Sequence, residues 1–107
     1  DTVQVLTVLA QVPAGKVVSF GDLADMSGYP RRARWVGRVL SKLPSTTKLP
    51  WHRAVNSQGT LTCPRADLAA KRLTREGIEV HQQRVSMLKH RWSPERVTGK
   101  VLGPEED

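Results

Sequence analysis

Three consecutive side chains near the middle of the chain could bind or act on a ligand: those of Trp51, His52 and Arg53. The indole offers a flat face for stacking and one N–H donor, but its nitrogen lone pair belongs to the ring and cannot attack a ligand. The single cysteine, Cys63, stands 12 residues beyond Trp51 in the sequence Thr-Cys-Pro-Arg, with no histidine after it. At position 51 the side chain therefore supplies a flat face and one donor, but no nucleophile.

Positive charge is concentrated around these residues. The 107-residue chain has 17 Lys and Arg against 10 Asp and Glu, a formal net charge of +7. No acidic residue lies between Asp25 and Asp67, and the rest of the chain is nearly balanced. The cations of this basic segment are Arg31, Arg32, Arg34, Arg38, Lys42, Lys48, Arg53 and Arg65. Such segregation predicts a polyanionic partner, most simply nucleic acid. A solvated basic surface is the alternative.

Length and composition limit the class of protein. The length fits one domain, and a hydrophobic content of 38% supports one modest core. One cysteine excludes a disulfide framework and a multi-cysteine zinc site, and no Cys or Asp cluster accompanies His81 or His90, so we expect no metal and no cofactor. No apolar run is long enough to span a membrane, so we expect no membrane partner. We expect the protein to be located in the reducing cytoplasm and, if it comes from a bacterium, to be associated with the nucleoid.

Mostly short helices are predicted to position these side chains. Apolar residues recur at helical spacing in four segments, 2–12, 20–27, 31–42 and 66–76. Ser19 and Asp22 fit a capping box in which each side chain satisfies the other's backbone N–H. Gly77 is a good stop for the last helix. Two short strands are predicted around a turn, at 52–55 and 60–61.

An arginine stripe marks the third predicted helix. Arg31, Arg34 and Arg38 recur with Trp35 at helical spacing, opposite an apolar face. A short helix precedes it, separated by Gly-Tyr-Pro at residues 28–30. This arrangement predicts a helix-turn-helix whose second helix recognises DNA.

Residues 49–55, Leu-Pro-Trp-His-Arg-Ala-Val, resemble the active-site motif Pro-Cys-His-Arg-Val of the O6-alkylguanine-DNA alkyltransferases. Trp51 stands where the reactive cysteine would be, a replacement that marks the non-enzymatic alkyltransferase-like branch of the family. Further similar segments follow the family's order, at residues 12–24, 33–37, 56–61 and 71–80, with a weaker match at 92–94. The resemblance covers roughly residues 3–82, so chance agreement is improbable.

The resemblance implies a lesion pocket without a nucleophile. In the alkyltransferases a thiolate, activated by the neighbouring histidine, removes the alkyl group from guanine O6. With Trp51 no acceptor remains, and the indole becomes a wall for the alkylated base, facing a pocket rather than a packed interior. His52 and Arg53 are implied to organise the pocket loop by hydrogen bonding, and no catalytic residue is assigned. Arg65 is implied to be the loop arginine that stacks on the base, with a plain surface arginine as the alternative.

The resemblance also assigns the DNA contacts. Arg34 matches the finger that fills the gap left by a flipped base. Arg31, Arg32 and Arg38 are expected on phosphates. Phe20 stands where the family has a tyrosine that helps to rotate the backbone phosphate, so the bulk is kept and the hydroxyl is lost. A simple hydrophobic staple is the alternative for Phe20.

The sequence therefore predicts a mainly α fold with a small β element. The expected architecture is a winged-helix-like helix-turn-helix domain of the alkyltransferase C-terminal type at residues 1–82, with a partly ordered extension at 83–107. The expected function is a monomeric, non-enzymatic sensor that flips O6-alkylguanine in double-stranded DNA and flags it for nucleotide excision repair proteins. Two alternatives stay open: an active alkyltransferase that uses Cys63, and a helix-turn-helix transcription regulator.

Overall fold

The computed structural model describes residues 2–44, 46–62 and 65–92. The helices are α1 (Thr2–Ala10), α2 (Phe20–Met26), α3 (Ala33–Ser41), α4 (Ala66–Arg75) and the single turn α5 (Met87–His90). A 3-10 turn covers Trp51–Arg53, and two strands are β1 (Val18–Ser19) and β2 (Ala54–Val55). The described chain is thus mainly helical with one small sheet, as predicted. None of its helices has both the length and the apolar character that a membrane span requires.

The sheet is parallel, and it joins segments that are distant in sequence. Val18 pairs with Ala54 and Ser19 with Val55. The prediction of a strand over 52–55 was therefore wrong for its first two residues, which lie in the 3-10 turn, and residues 60–61 do not form its partner. The side chain of Asn56 accepts hydrogen bonds from the backbone N–H groups of residues 58 and 60, at 2.9 and 2.8 Å, which turns the chain away.

The sheet separates two apolar clusters because neighbouring residues of a strand face opposite sides. Val18 and Ala54 belong to the first cluster, under α1, α2 and α3. Val17 and Val55 belong to the second, beneath α4. Residues 51–55 contribute to both clusters, with Trp51 and Val55 in the second and Ala54 in the first. The motif segment therefore lies where the helix-turn-helix meets α4.

The helix-turn-helix differs from the prediction at two points. The Ser19 hydroxyl accepts the backbone N–H of Asp22 at 3.0 Å, as expected, but the carboxylate of Asp22 pairs with Arg91, at 2.7 and 2.8 Å, instead of reaching back. Helix α3 begins at Ala33, two residues later than expected, because Arg31 adopts a left-handed φ of 67°. Arg31 is therefore not part of the helical stripe.

The chain beyond residue 82 packs onto the domain as far as Trp92. The N–H of Val17 donates to the carbonyl of His90 at 2.9 Å, and that of Trp92 donates to the carbonyl of Val17 at 2.8 Å. Gly59 receives this return segment: a Cβ there, at a φ of +85°, would lie 2.3 Å from the carbonyl oxygen of Val85. Only glycine fits this approach. Residues 93–107 of the predicted extension lie outside the described part of the chain.

Candidate functional site

A cavity of about 390 Å³ opens between α3 and the turn that carries Trp51. The described residues that line it are Phe20, Ala33, Arg34, Gly37, Arg38, Leu40, Ser41, Trp51, Ala54, Thr62 and Arg65. They combine an aromatic wall and an apolar floor with three guanidinium groups, and none of them is acidic. The volume is in the lower range of small-molecule sites. The cavity suits a flat, base-sized ligand beside a polyanion.

Trp51 is both a core residue and a wall of this cavity. Its side chain is only 5% exposed and packs into the second cluster. Its ring also lines the cavity. The expectation that this position faces a pocket rather than a packed interior is therefore half right. A change at Trp51 will affect stability as well as binding.

Two guanidinium groups hold the ring of Trp51. Arg65 lies 4.6 Å from the ring centroid and Arg72 lies 5.3 Å from it. Both come from α4: Arg65 is its N-cap, and Arg72 follows seven residues, or two turns, later. Sequence reasoning placed Arg65 at the pocket, where the structure also places it, but missed Arg72. The seven-residue spacing of the two arginines is the signal that could have identified it.

His52 and Arg53, which follow Trp51 in the motif, turn away from the cavity and do not line it. His52 Nε2 lies 2.8 Å from Glu76 Oε2, and Arg53 donates to the same carboxylate from Nε at 3.0 Å and from Nη2 at 2.6 Å. Arg53 also donates to the carbonyl of Val12 at 2.8 Å. As expected, both organise the pocket loop by hydrogen bonding, although neither side chain forms part of the pocket wall, because the carboxylate behind the turn attracts both. They brace the turn that presents Trp51.

Glu76, which binds His52 and Arg53 and so forms the brace behind Trp51, was not predicted from the sequence. It caps the C-terminal end of α4, where the helix dipole disfavours a negative charge. An acid in that place, next to Gly77, indicates a buried cationic partner. Burial alone would raise the pKa of Glu76, but hydrogen bonds from Arg53, His52 and the N–H of Gly15 lower it to about 2. The carboxylate is therefore ionised at neutral pH.

His52 is neutral in this setting. Burial lowers the pKa of its imidazole below 6.5, and the nearby charges of Arg53 and Arg72 lower it further, against the opposing effect of Glu76. Nδ1 is buried without a hydrogen-bond partner, so the proton resides on Nε2 and is donated to Glu76. Neither ring nitrogen faces the cavity with a proton to exchange. The arrangement is one of support rather than acid–base chemistry.

The arginines of the helix-turn-helix divide into two groups. Arg34 and Arg38 lie on α3 and line the cavity. Arg31 and Arg32 are exposed in the turn before α3 and do not line it. Phe20, the first residue of α2, lines the cavity and also packs against the first cluster, so the pocket and staple interpretations both describe its contacts.

The His, Cys, Asp and Glu residues in the described part of the chain form no group of three or more that could hold a metal ion. Cys63 lies outside the described residues. The described side chains of the site offer stacking, hydrogen bonding and positive charge.

Comparison with known proteins gives a consistent result. Residues 2–78 match the family model described as 6-O-methylguanine DNA methyltransferase, DNA binding domain. A DNA base-flipping protein of Vibrio parahaemolyticus is 43% identical over 95 residues, which cover 86% of this chain and 95% of that protein. Alkyltransferase-like protein 1 of Schizosaccharomyces pombe is 32% identical over 102 residues, which cover 85% and 93% of the two chains.

A solved structure extends the likeness to the fold. The crystal structure of S. pombe Atl1 in complex with damaged DNA containing O6-carboxymethylguanine superposes with a TM-score of 0.82 at 30% sequence identity. The match covers 87% of this chain and 94% of that one. The predicted helix-turn-helix architecture of the alkyltransferase type is thereby confirmed.

Proposed function

The chain belongs to the family of 6-O-methylguanine DNA methyltransferase DNA-binding domains, as alkyltransferase-like proteins do. We propose that it binds O6-alkylguanine in duplex DNA without repairing it. The recognition helix α3 approaches the DNA, the damaged base leaves the stack, and the cavity beside Trp51 receives it. The relatives named for base flipping and the structural match bound to an alkylated guanine support this proposal.

The single observation that carries the proposal is the position of Trp51. Its indole forms the wall of a cavity that opens beside the arginines of α3. In the alkyltransferases that this motif resembles, the reactive cysteine occupies this position. An indole cannot accept an alkyl group there. Because the lesion then persists, other proteins must remove it, and we propose nucleotide excision repair proteins as those that the complex attracts.

Covalent labelling tests the non-enzymatic part of the proposal. The unmodified protein should acquire no label from duplex DNA that carries a radiolabelled O6-methyl group, because the indole of Trp51 cannot accept an alkyl group. An authentic alkyltransferase, assayed in parallel, should be labelled once per molecule. Stoichiometric labelling of this protein, lost in Cys63→Ser, would show that it is an alkyltransferase.

Arg34→Ala should weaken binding to lesion DNA by about 1–3 kcal/mol, because the side chain that fills the gap of the flipped base is gone. Binding to undamaged duplex should change much less. Arg31→Ala is the matched control: it removes the same charge from the exposed turn before α3 and should weaken both duplexes alike. Equal losses for Arg34→Ala on both duplexes would make Arg34 one more phosphate contact. Fluorescence anisotropy with both duplexes measures the difference.

A further inference from the structure

We propose that DNA flanking the lesion continues into a second, cation-lined groove between α4 and the hairpin of residues 81–84, whose tip contacts the DNA backbone. This inference rests on the proposed DNA-binding function. The groove has a volume of about 670 Å³. The described residues that line it are Ala70, Lys71, Thr74, Arg75, Val80, Gln82 and Gln83.

The groove is connected to the base cavity through shared residues. Arg65 lines the base cavity and also a depression around the start of α4, where Asp67 is the one acidic residue of the lining. Gln83 lines that same depression and also the groove. The backbone N–H of Leu61 donates to the carbonyl of Gln83 at 2.8 Å, so the hairpin is fixed to the segment that leads to the cavity. A strand that leaves the cavity past Arg65 thus meets Gln83 next.

The groove has the chemistry of a phosphate contact. Lys71 and Arg75 supply two positive charges, and none of the ion pairs in the described part of the chain uses either of them. Thr74 and Gln82 add hydrogen-bond donors, while Gln83 Nε2 donates to Asp67 at 3.4 Å. No acidic residue is among those lining the groove. Cations with neutral donors recognise the sugar-phosphate backbone rather than base sequence. Duplex DNA that continues from the lesion is the partner that fits.

The tip of the hairpin has a strained backbone, because two consecutive glutamines adopt left-handed conformations there. The backbones of His81 and Arg84 exchange two hydrogen bonds of 2.9 Å, which leaves a two-residue turn. Both turn residues are left-handed, with φ of 50° for Gln82 and 61° for Gln83. Asn-Gly is the favoured pair for such a turn, and glutamine is disfavoured in it. Gln83 Nε2 donates to Asp67 Oδ1 at 3.4 Å, which accounts for one of the two amides. The contact with DNA that a favourable turn would lose is therefore assigned to Gln82.

The first test removes the two cations. Lys71→Gln/Arg75→Gln should bind a long lesion duplex more weakly and make the slope of log K against log salt shallower by about 1.8. The ratio of the parent's binding constant to that of the variant should fall about tenfold as the salt concentration rises from 50 to 200 mM. The control Lys16→Gln/Lys89→Gln removes two charges from residues that line neither the cavity, the depression nor the groove. Unchanged binding, or an equal loss in the control, would overturn the proposal.

The second test uses the strain. Gln82→Asn/Gln83→Gly places the favoured pair in the left-handed turn, shortens one amide and removes the other, so the melting temperature should rise while the affinity for long DNA falls. A higher melting temperature with unchanged affinity would overturn the role of the tip. The preference for lesion over undamaged DNA reports the proposed function separately. If the parent shows that preference and the groove variants bind like the parent, only the present inference fails.

Discussion

Glu76→Gln should lower the free energy of unfolding by about 3–5 kcal/mol, because it removes the counter-charge of a largely buried ion pair. Glu76 is the acceptor for His52, for two nitrogens of Arg53 and for the backbone N–H of Gly15. Arg53 would keep its charge in a site built around a carboxylate, and the new amide would turn N–H donors toward other donors. Urea denaturation of parent and variant measures the loss.

Glu79→Gln is the matched control for this change. Glu79 lies 3.4 Å from His81, but both side chains are about four-fifths exposed. Exposed pairs of this kind contribute about 0–1 kcal/mol. A similar loss in both variants would contradict the role of Glu76 as the buried brace behind Trp51.

The same brace should make the protein sensitive to acid in two stages. Because burial lowers the pKa of His52, the unfolded chain takes up that proton first, and stability should begin to fall below about pH 6.5. The pKa of Glu76 is lowered from 4.5 to about 2, so a second loss should follow as the pH falls through that interval. Glu76→Gln should abolish the second loss, which denaturation across the pH range would reveal.

Trp51→Ala should cost about 3–5 kcal/mol of stability and remove most of the preference for lesion DNA. The stability loss follows from emptying a packed site in the second cluster, and the binding loss from removing the wall of the cavity. Since the alanine variant could unfold, Trp51→Phe provides the second measurement. It keeps an aromatic face of smaller area, and it should retain the fold while reducing the preference.

Trp35→Phe is the matched control for the tryptophan position. Trp35 packs against the first cluster and meets Tyr29 edge-to-face at 5.3 Å, but it does not line the cavity. Its replacement should alter stability without changing the preference for lesion DNA. An equal change in preference for the two Trp→Phe variants would mean that Trp51 acts only through the core.

Local patterns in the sequence predicted the helices well. The spacing of Val5 and Leu9, and of Val36 and Leu40, identified faces that are indeed buried. The Ser19 cap was predicted because its partner is three residues away. The parallel pairing of residues 18–19 with 54–55 could not be predicted in this way. It joins segments more than 30 residues apart, and nothing local to either one specifies the other.

The candidate site was predicted in part, for the same reason. The motif and the arginine stripe identified Trp51 and Arg34, which line the cavity. Glu76 and Arg72 come from a helix whose contact with the motif depends on the whole fold. The left-handed backbone of Arg31 removes the first arginine from the helical stripe, and helical spacing does not predict this.

The most direct test of lesion recognition compares two duplexes of identical sequence, one with O6-methylguanine and one with guanine, over a series of salt concentrations. If about five to seven of the eight cations in the basic segment contact phosphates, the slope of log K against log salt should be roughly −4 to −6 for each duplex. The base enters a cavity and adds no phosphate contact, so the lines should be parallel, with the lesion duplex bound more tightly at every salt concentration. Coincident lines would mean that the protein binds DNA without recognising this damage, as a helix-turn-helix regulator would.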